Sequence, residues 1–239
     1  ALKNGVFSLI NNVLFVEDHK QRGMYHPRIA AQQSFIYERL QQHEKDAFNR
    51  LYNHYFYERH NQFWYDCAME KLPELCEAAP MLPCGEDLGM VPDCVPWVMN
   101  ELQLLSLEIE RMPKDPQHEF GNVEWYPERS VCTIGTHDMA TFRGWWREDY
   151  SQTCRYYYDV LHLGGEVPGD APGWVCEEVV RRHLNSPSML NILALQDWFA
   201  MDEQLRFADV EGERINVPAN PRHYWRYRMH INIEDLMAN

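Results

Sequence analysis

The sequence predicts a helix-rich α/β protein with parallel strands, and three observations point there. Residues 35–76 carry apolar side chains at helical spacing; further on, short apolar runs alternate with helical segments; and the run at 130–136 is rich in β-branched residues and meets Gly135. Alternation of strand and helix implies a parallel sheet with helical crossovers. Two architectures satisfy it, a doubly wound sheet or half of an eight-stranded barrel, because four strands cannot close such a barrel.

Each element has a local reason. Phe35, Leu40, Phe48, Leu51, Tyr55 and Trp64 recur at intervals near three, four or seven among charged residues, which predicts two helices over 35–76 on the surface of a core. Pro80 and Pro83 bracket a short apolar stretch, "MLPC", that reads as a buried strand running into a loop at Gly85-Glu86-Asp87. Asp93 can cap a helix through "CVPWVMNELQLL", with Pro96 in the first turn, where its missing N–H leaves no bond unmade. "LLSLEIERM" at 104–112 alternates as a strand does, and "SVCTIGT" at 130–136 is a second. Helical segments follow at 138–163, closed by Gly164-Gly165, and at 174–184, closed by Asn185. "SMLNILALQDW" at 188–198 is a further apolar run, followed by a polar loop and the Pro-interrupted "INVPANPRHYW".

Composition narrows the function. Across 239 residues, 22 Lys and Arg face 36 Asp and Glu, a formal charge of −14 that repels phosphate backbones and anionic lipid. Nucleic acid and membrane surfaces are therefore not the expected partners. No run approaches the ~18 apolar residues of a membrane span, and the opening "ALKNGVFSLINN" has none of the regions of a signal peptide. The seven cysteines are odd in number and contain no CxxC pair, which reads as reduced thiols in a cytoplasmic protein. They and the 11 histidines show no short metal-ligand spacing, so no metal is expected. Aromatics cluster at "FWY" (63–65), "GWW" (144–146) and "YWRYR" (224–228), where rings can stack on sugars or simply fill a core.

In either parallel architecture, functional residues belong at the carboxyl ends of strands, where loops converge. Glu86 and the pair His137-Asp138 occupy that position. Two such carboxylates suit glycosidic-bond chemistry, in which one protonates the leaving oxygen while ionised neighbours stabilise an oxocarbenium-like transition state. The simpler reading of Asp138 is an N-cap for the helix "MATFRGWW".

The motifs "CGEDLGMVP" (84–92), "GTHDMATFRGWW" (135–146), "LALQDWF" (193–199) and "ERINVPANPRHYWRYR" (213–228) together resemble the 4-α-glucanotransferases of glycoside hydrolase family 77, the amylomaltases or disproportionating enzymes. "MYHPRIAAQQSFIYERL" and "FYERHNQFWYDCAMEKLPEL" resemble the subgroup that includes the plant cytosolic disproportionating enzyme. The resemblance extends over residues 24–228, in order and with compatible gaps. It implies a (β/α)8 barrel and a retaining double displacement on maltooligosaccharides or starch- or glycogen-like glucans, with no metal or organic cofactor. Glu86 matches the general acid/base after the fifth strand, Asp138 the transition-state stabiliser after the seventh, and His137 the histidine that contacts the donor sugar. Asp87, Arg143 and Trp145 are added as candidate substrate contacts, each with a structural alternative: Asp87 falls on the other face of a continuing strand, Arg143, which could orient a carboxylate or sugar, can simply pack against the tryptophans, and Trp145 can pack in the core beside Trp146. Trp225 has the same two readings; Glu148 and Asp149 read as the solvated end of a helix; Asn216 and Pro218 match a family loop and carry no assigned chemistry.

Two departures accompany the resemblance. Met139 and Ala140 follow the stabiliser where many members carry a second Asp two residues on. The family's nucleophilic Asp lies upstream in an Arg-x-Asp context, and no such sequence precedes Glu86; "HPRIAAQQ" has Ala at that place. The expectation is therefore the C-terminal half of a catalytic barrel, with 1–79 a largely helical insertion or crossover and 80–239 carrying strands five to eight. Alternatives are a non-catalytic carbohydrate-binding fragment or a hydrolase of the same clan.

Overall fold

The helical periodicity of the first third becomes a short-helix assembly around aromatic residues in the computed structural model, which describes residues 2–89 and 91–237. The chain divides into two units, Ala1–Ala79 with Val91–Asn100 and Pro80–Met90 with Glu101–Asn239.

In the first unit α1 (Leu2–Ile10) precedes an antiparallel hairpin of β1 (Phe15–Glu17) and β2 (Tyr25–Pro27), which the sequence reading did not find. Its strands have three residues each, too few for alternation to register. The predicted helices over 35–76 form as α2 (Phe35–Arg39), α3 (Gln42–Asn53) and α4 (His60–Glu77), the last two joined through a π-helical turn at His54–Arg59. Ser34 caps α2 by accepting from the Tyr37 amide, and Gln41 with Glu44 forms a capping box on α3. Ala31, Phe48 and Tyr52 are the buried centre, with Leu14, Tyr37 and Phe56 against them. His26 ties the hairpin to the π-helical turn, bonding Asp18 through Nε2 at 2.8 Å and the Tyr55 hydroxyl through Nδ1 at 2.9 Å. The helix predicted at "CVPWVMNE" is α5 (Cys94–Glu101), and Asn61 Oδ1 accepts from the Cys94 amide at 2.6 Å.

The second unit is built on a parallel sheet of β3 (Ser106–Ile109), β4 (Ser130–Thr133) and β5 (Leu190–Asn191). Ser106 to Ile109 stand opposite Ser130 to Thr133, and Val131 and Cys132 opposite Leu190 and Asn191. "MLPC" contributes a single parallel bridge, Cys84 to Leu105, in place of the expected strand. Spatial order thus follows chain order among the described strands, with no reversal of the kind a doubly wound sheet requires. All four residues of β4 are buried, which explains why its sequence is a continuous apolar and small-residue run.

From β4 the chain runs through α6 (Phe142–Glu148), α7 (Tyr150–Arg155), a π-helical turn at Tyr156–Val160 and α8 (Gly173–Leu184) to β5, and then into α9 (Leu195–Ala200). The helical segment expected from residue 138 starts at Phe142, capped by Thr141, and "SMLNILALQDW" splits into β5 and α9. Asn185 caps α8 as expected, and a short helix α10 (Ile233–Met237) comes near the end. Phe142, Trp145, Trp146, Tyr156, Tyr157, Val175, Val179 and Val180 form the main core. Trp146 is 1 % exposed, and its indole N–H donates to the Pro168 carbonyl at 2.8 Å, so its one polar atom is satisfied where it is buried. Gly173 lets α8 start against the end of α9, since a Cβ there would lie 2.4 Å from the Met201 carbonyl oxygen. No helix among the described residues is long and apolar enough to cross a membrane.

Candidate active site

The segment 134–141 leaves the buried end of β4 and enters α6. Thr133 Oγ1 donates to the Gly135 carbonyl at 3.1 Å, and the Met139 amide closes a turn onto the Thr136 carbonyl at 3.1 Å. That turn lifts His137 and Asp138 outward, with half of each side chain exposed, and their Nε2 and Oδ2 atoms are 3.5 Å apart. Asp138 does not cap α6; Thr141 does, accepting from the Gly144 amide at 3.3 Å. The Asp138 carboxylate instead accepts from Asn216 Nδ2 at 2.6 Å, while the Asn216 amide donates to the His137 carbonyl at 3.1 Å. One residue thereby fixes both members of the pair. The Trp225 ring, more than half exposed, lies 4.9 Å from the His137 ring.

Below the loop is a small cavity of about 60 Å³ lined by Arg111, Thr136, His137, Gln196, Asp197 and Glu213, among others. Burial pushes the Asp197 carboxyl up to about 6, against the backbone N–H of Ala194 and the charge of Arg111, which act to lower it. Glu213 is also pushed upward by burial, opposed by the Arg143 guanidinium. Among the described residues no group of three or more His, Cys, Asp or Glu is arranged to hold a metal ion.

Glu86 follows the Cys84 bridge and is exposed. Asp87 is buried beside it: Oδ1 accepts from the Leu107 amide at 2.9 Å and Oδ2 from Lys114 Nζ at 2.6 Å, which also bonds Glu108. Of the two readings of Asp87, its placement is the supporting one, pinning the Glu86 segment onto β3. Arg143 is buried in an ion pair with Glu213 and donates to the Phe207 carbonyl at 2.9 Å. Trp145 is 8 % exposed, packed on Phe120, Phe142 and Tyr156, with its indole N–H donating to Gln152 Oε1 at 3.0 Å. Neither Arg143 nor Trp145 presents an open surface for a sugar. Asp149, expected at a solvated helix end, caps α7 through the amides of Ser151 and Gln152.

Sequence reasoning missed Asn216 as a partner of Asp138 and Arg111 as a partner of the loop. "INVP" reads only as a family loop and "EIERM" only as part of a strand. The hydrogen bond from Asn216 spans 78 positions in the chain, so no local pattern announces it.

The 4-alpha-glucanotransferase family model matches residues 26–233. This chain belongs to the 4-alpha-glucanotransferase family. It is 36% identical over 237 residues to the 4-alpha-glucanotransferase DPE2 of Oryza sativa subsp. japonica, covering 99% of the chain and 25% of that relative. A 4-alpha-glucanotransferase of Chlamydia pneumoniae is 28% identical over 170 residues, 70% of the chain and 32% of the relative. The chain thus spans a quarter to a third of the length of these 4-alpha-glucanotransferases. In fold it is similar to an amylomaltase from Streptococcus agalactiae in complex with acarbose, with a TM-score of 0.51 at 21% identity over 71% of this chain and 32% of that one. An amylomaltase from Corynebacterium glutamicum aligns with the same TM-score of 0.51 at 16% identity, over 68% of this chain and 28% of that one.

Proposed function

We propose that the protein carrying this chain transfers α-1,4-glucan segments between maltooligosaccharides, or onto starch- or glycogen-like glucans, by a retaining double displacement. The observation that carries the reading is the His137-Asp138 pair, held outward at the carboxyl end of a buried parallel strand by Asn216, in a member of the 4-alpha-glucanotransferase family. Residues 80–239 act as strands five to eight of a (β/α)8 barrel and 1–79 as a helical insertion or crossover. The unreversed strand order supports that reading. The seven cysteines, all unpaired, support a cytoplasmic setting.

Glu86 is the general acid/base: it protonates the departing glucan's oxygen and then takes the proton of the incoming 4-hydroxyl. Asp138 binds sugar hydroxyls more tightly as positive charge grows on the ring, which lowers the barrier to both displacements. His137, with the Trp225 face beside it, contacts the donor sugar. Asp87, Arg143 and Trp145 act from beneath, holding the Glu86 segment, the end of the 134–141 loop and the first turns of α6. The nucleophilic carboxylate comes from outside these 239 residues, since no Arg-x-Asp precedes Glu86.

The experiment is turnover of maltotriose by the full-length protein and its variants. Glu86→Gln and Asp138→Asn are expected to lower kcat by about 10²–10⁴-fold with modest change in KM. Residues 1–239 alone are expected to show no transfer. A variant that keeps most of its activity removes that residue from the assignment, and robust transfer by the isolated chain refutes the external nucleophile.

A further inference from the structure

We propose that Arg111 is the positioning residue of the Asp138 loop, a clasp that closes the loop's two ends on one guanidinium. Arg111 follows β3, yet its side chain lies under the loop after β4. Nε and Nη2 donate to the Ile134 carbonyl at 3.3 and 3.0 Å, and Nη2 also donates to the Ala140 carbonyl at 3.2 Å. Ile134 and Ala140 bracket the residues that carry His137 and Asp138. Both carbonyls belong to residues between β4 and α6, and a planar fork with donors on adjacent nitrogens can satisfy the two together, which an ammonium cannot do with the same geometry. The guanidinium is itself located by the Trp145 ring, 5.3 Å from its carbon to the ring centroid. This gives the buried Trp145 a role that reaches the site through Arg111.

Gly135 completes the device. A Cβ at this position would lie 2.7 Å from Arg111 Nη2, whereas the nearest backbone atom, the Ala140 carbonyl oxygen, is 3.9 Å away. The backbone at Gly135 is not in the left-handed region, so alanine is conformationally acceptable there. Gly135→Ala therefore displaces the guanidinium and little else. In the sequence Gly135 ends a strand-like run; the structure gives it a second reason, room for Arg111.

The inference rests on the glucanotransferase reading for its kinetic consequence but not for its structural one, so two readouts are used on the full-length protein. Kinetically, Arg111→Lys and Gly135→Ala are expected to lower kcat for maltotriose transfer about 10–100-fold with KM changed less than about threefold, as a misplacement near 1 Å does. With a 4-nitrophenyl maltooligoside, whose leaving group needs little protonation, the first burst of 4-nitrophenol is expected to recover in Glu86→Gln, though steady turnover does not because the second displacement still needs the base, whereas in Arg111→Lys the burst stays slow. Gly135→Ala made in an Arg111→Ala background is expected to have no further effect, because the clashing group is gone. Structurally, hydrogen exchange of the amides in 134–141 is expected to rise in Arg111→Lys while that of α8 is unchanged. Wild-type kcat in Arg111→Lys, or additive losses in the double variant, overturns the proposal. If the wild-type protein transfers no glucan, the functional reading fails, and unchanged exchange in 134–141 then overturns the clasp independently.

Discussion

At the scale of single residues, a carboxylate that stabilises positive charge must be aimed without being neutralised. In the proposed role Asp138 meets this by bonding an amide: Asn216 fixes one oxygen at 2.6 Å, and among the described residues no Lys or Arg is bonded to the carboxylate. A cation in the same place would cancel the charge the transition state needs. Asn216→Ala removes the side-chain donor but keeps the backbone bond to His137, so the loop stays while the carboxylate loses its orientation. The expected result is a fall in kcat of about tenfold or more in the full-length protein, with a small change in Tm. Asn216→Asp puts two anions in contact and is expected to be worse; equal activity in both variants would show that the contact is incidental. Glu86 and the His137-Asp138 pair stand out as candidates in the sequence because each acidic residue directly follows an apolar run. Asn216 and Arg111 were not, because each reaches its partner across the fold.

At the scale of elements, α9 is a six-residue helix whose start is fixed by Asp197, which accepts from the Ala194 amide at 3.0 Å. Burial raises the Asp197 carboxyl from 3.8 to about 6. A group whose pKa is higher in the folded state contributes stability that is full below its unfolded value and is lost as pH rises through the folded one. The window here is pH 4 to 6, and the loss is on the order of 3 kcal/mol. Asn can accept the same backbone bond without the charge. Asp197→Asn is therefore expected to gain stability relative to wild type as the buffer is moved from pH 4 to pH 7.5, read as the difference in Tm between the two proteins. A constant difference across that range would show that Asp197 does not titrate there.

The same scale shows why the elements were only partly readable. Helix α8 carries its period in full and β4 its continuous β-branched and small-residue run, and both are readable within a few residues. The hairpin at 15–27 and the Cys84 bridge are too short for a period to form. Residues 138–141 read as helix because they continue into α6, yet Met139 turns back onto Thr136 and the helix waits for Thr141 to cap it. Trp145 and Arg143, readable in sequence either as sugar contacts or as packing, are both buried in α6 together with Phe142, Gly144 and Trp146.

At the scale of the molecule, a charge of −14 repels anionic polymers but leaves a neutral glucan unaffected, consistent with a site built from carboxylates, an imidazole and an exposed indole. The roles proposed for Glu86 and Asp138, acid/base chemistry and charge stabilisation, would serve attack by water as well as by a sugar, so the acceptor is the central question. The direct measurement follows maltotriose with the full-length protein, counting reducing ends while resolving the products. Transfer predicts glucose together with oligomers longer than maltotriose at a constant number of reducing ends. Reducing ends that rise with the glucose released, and no longer oligomers, would contradict it.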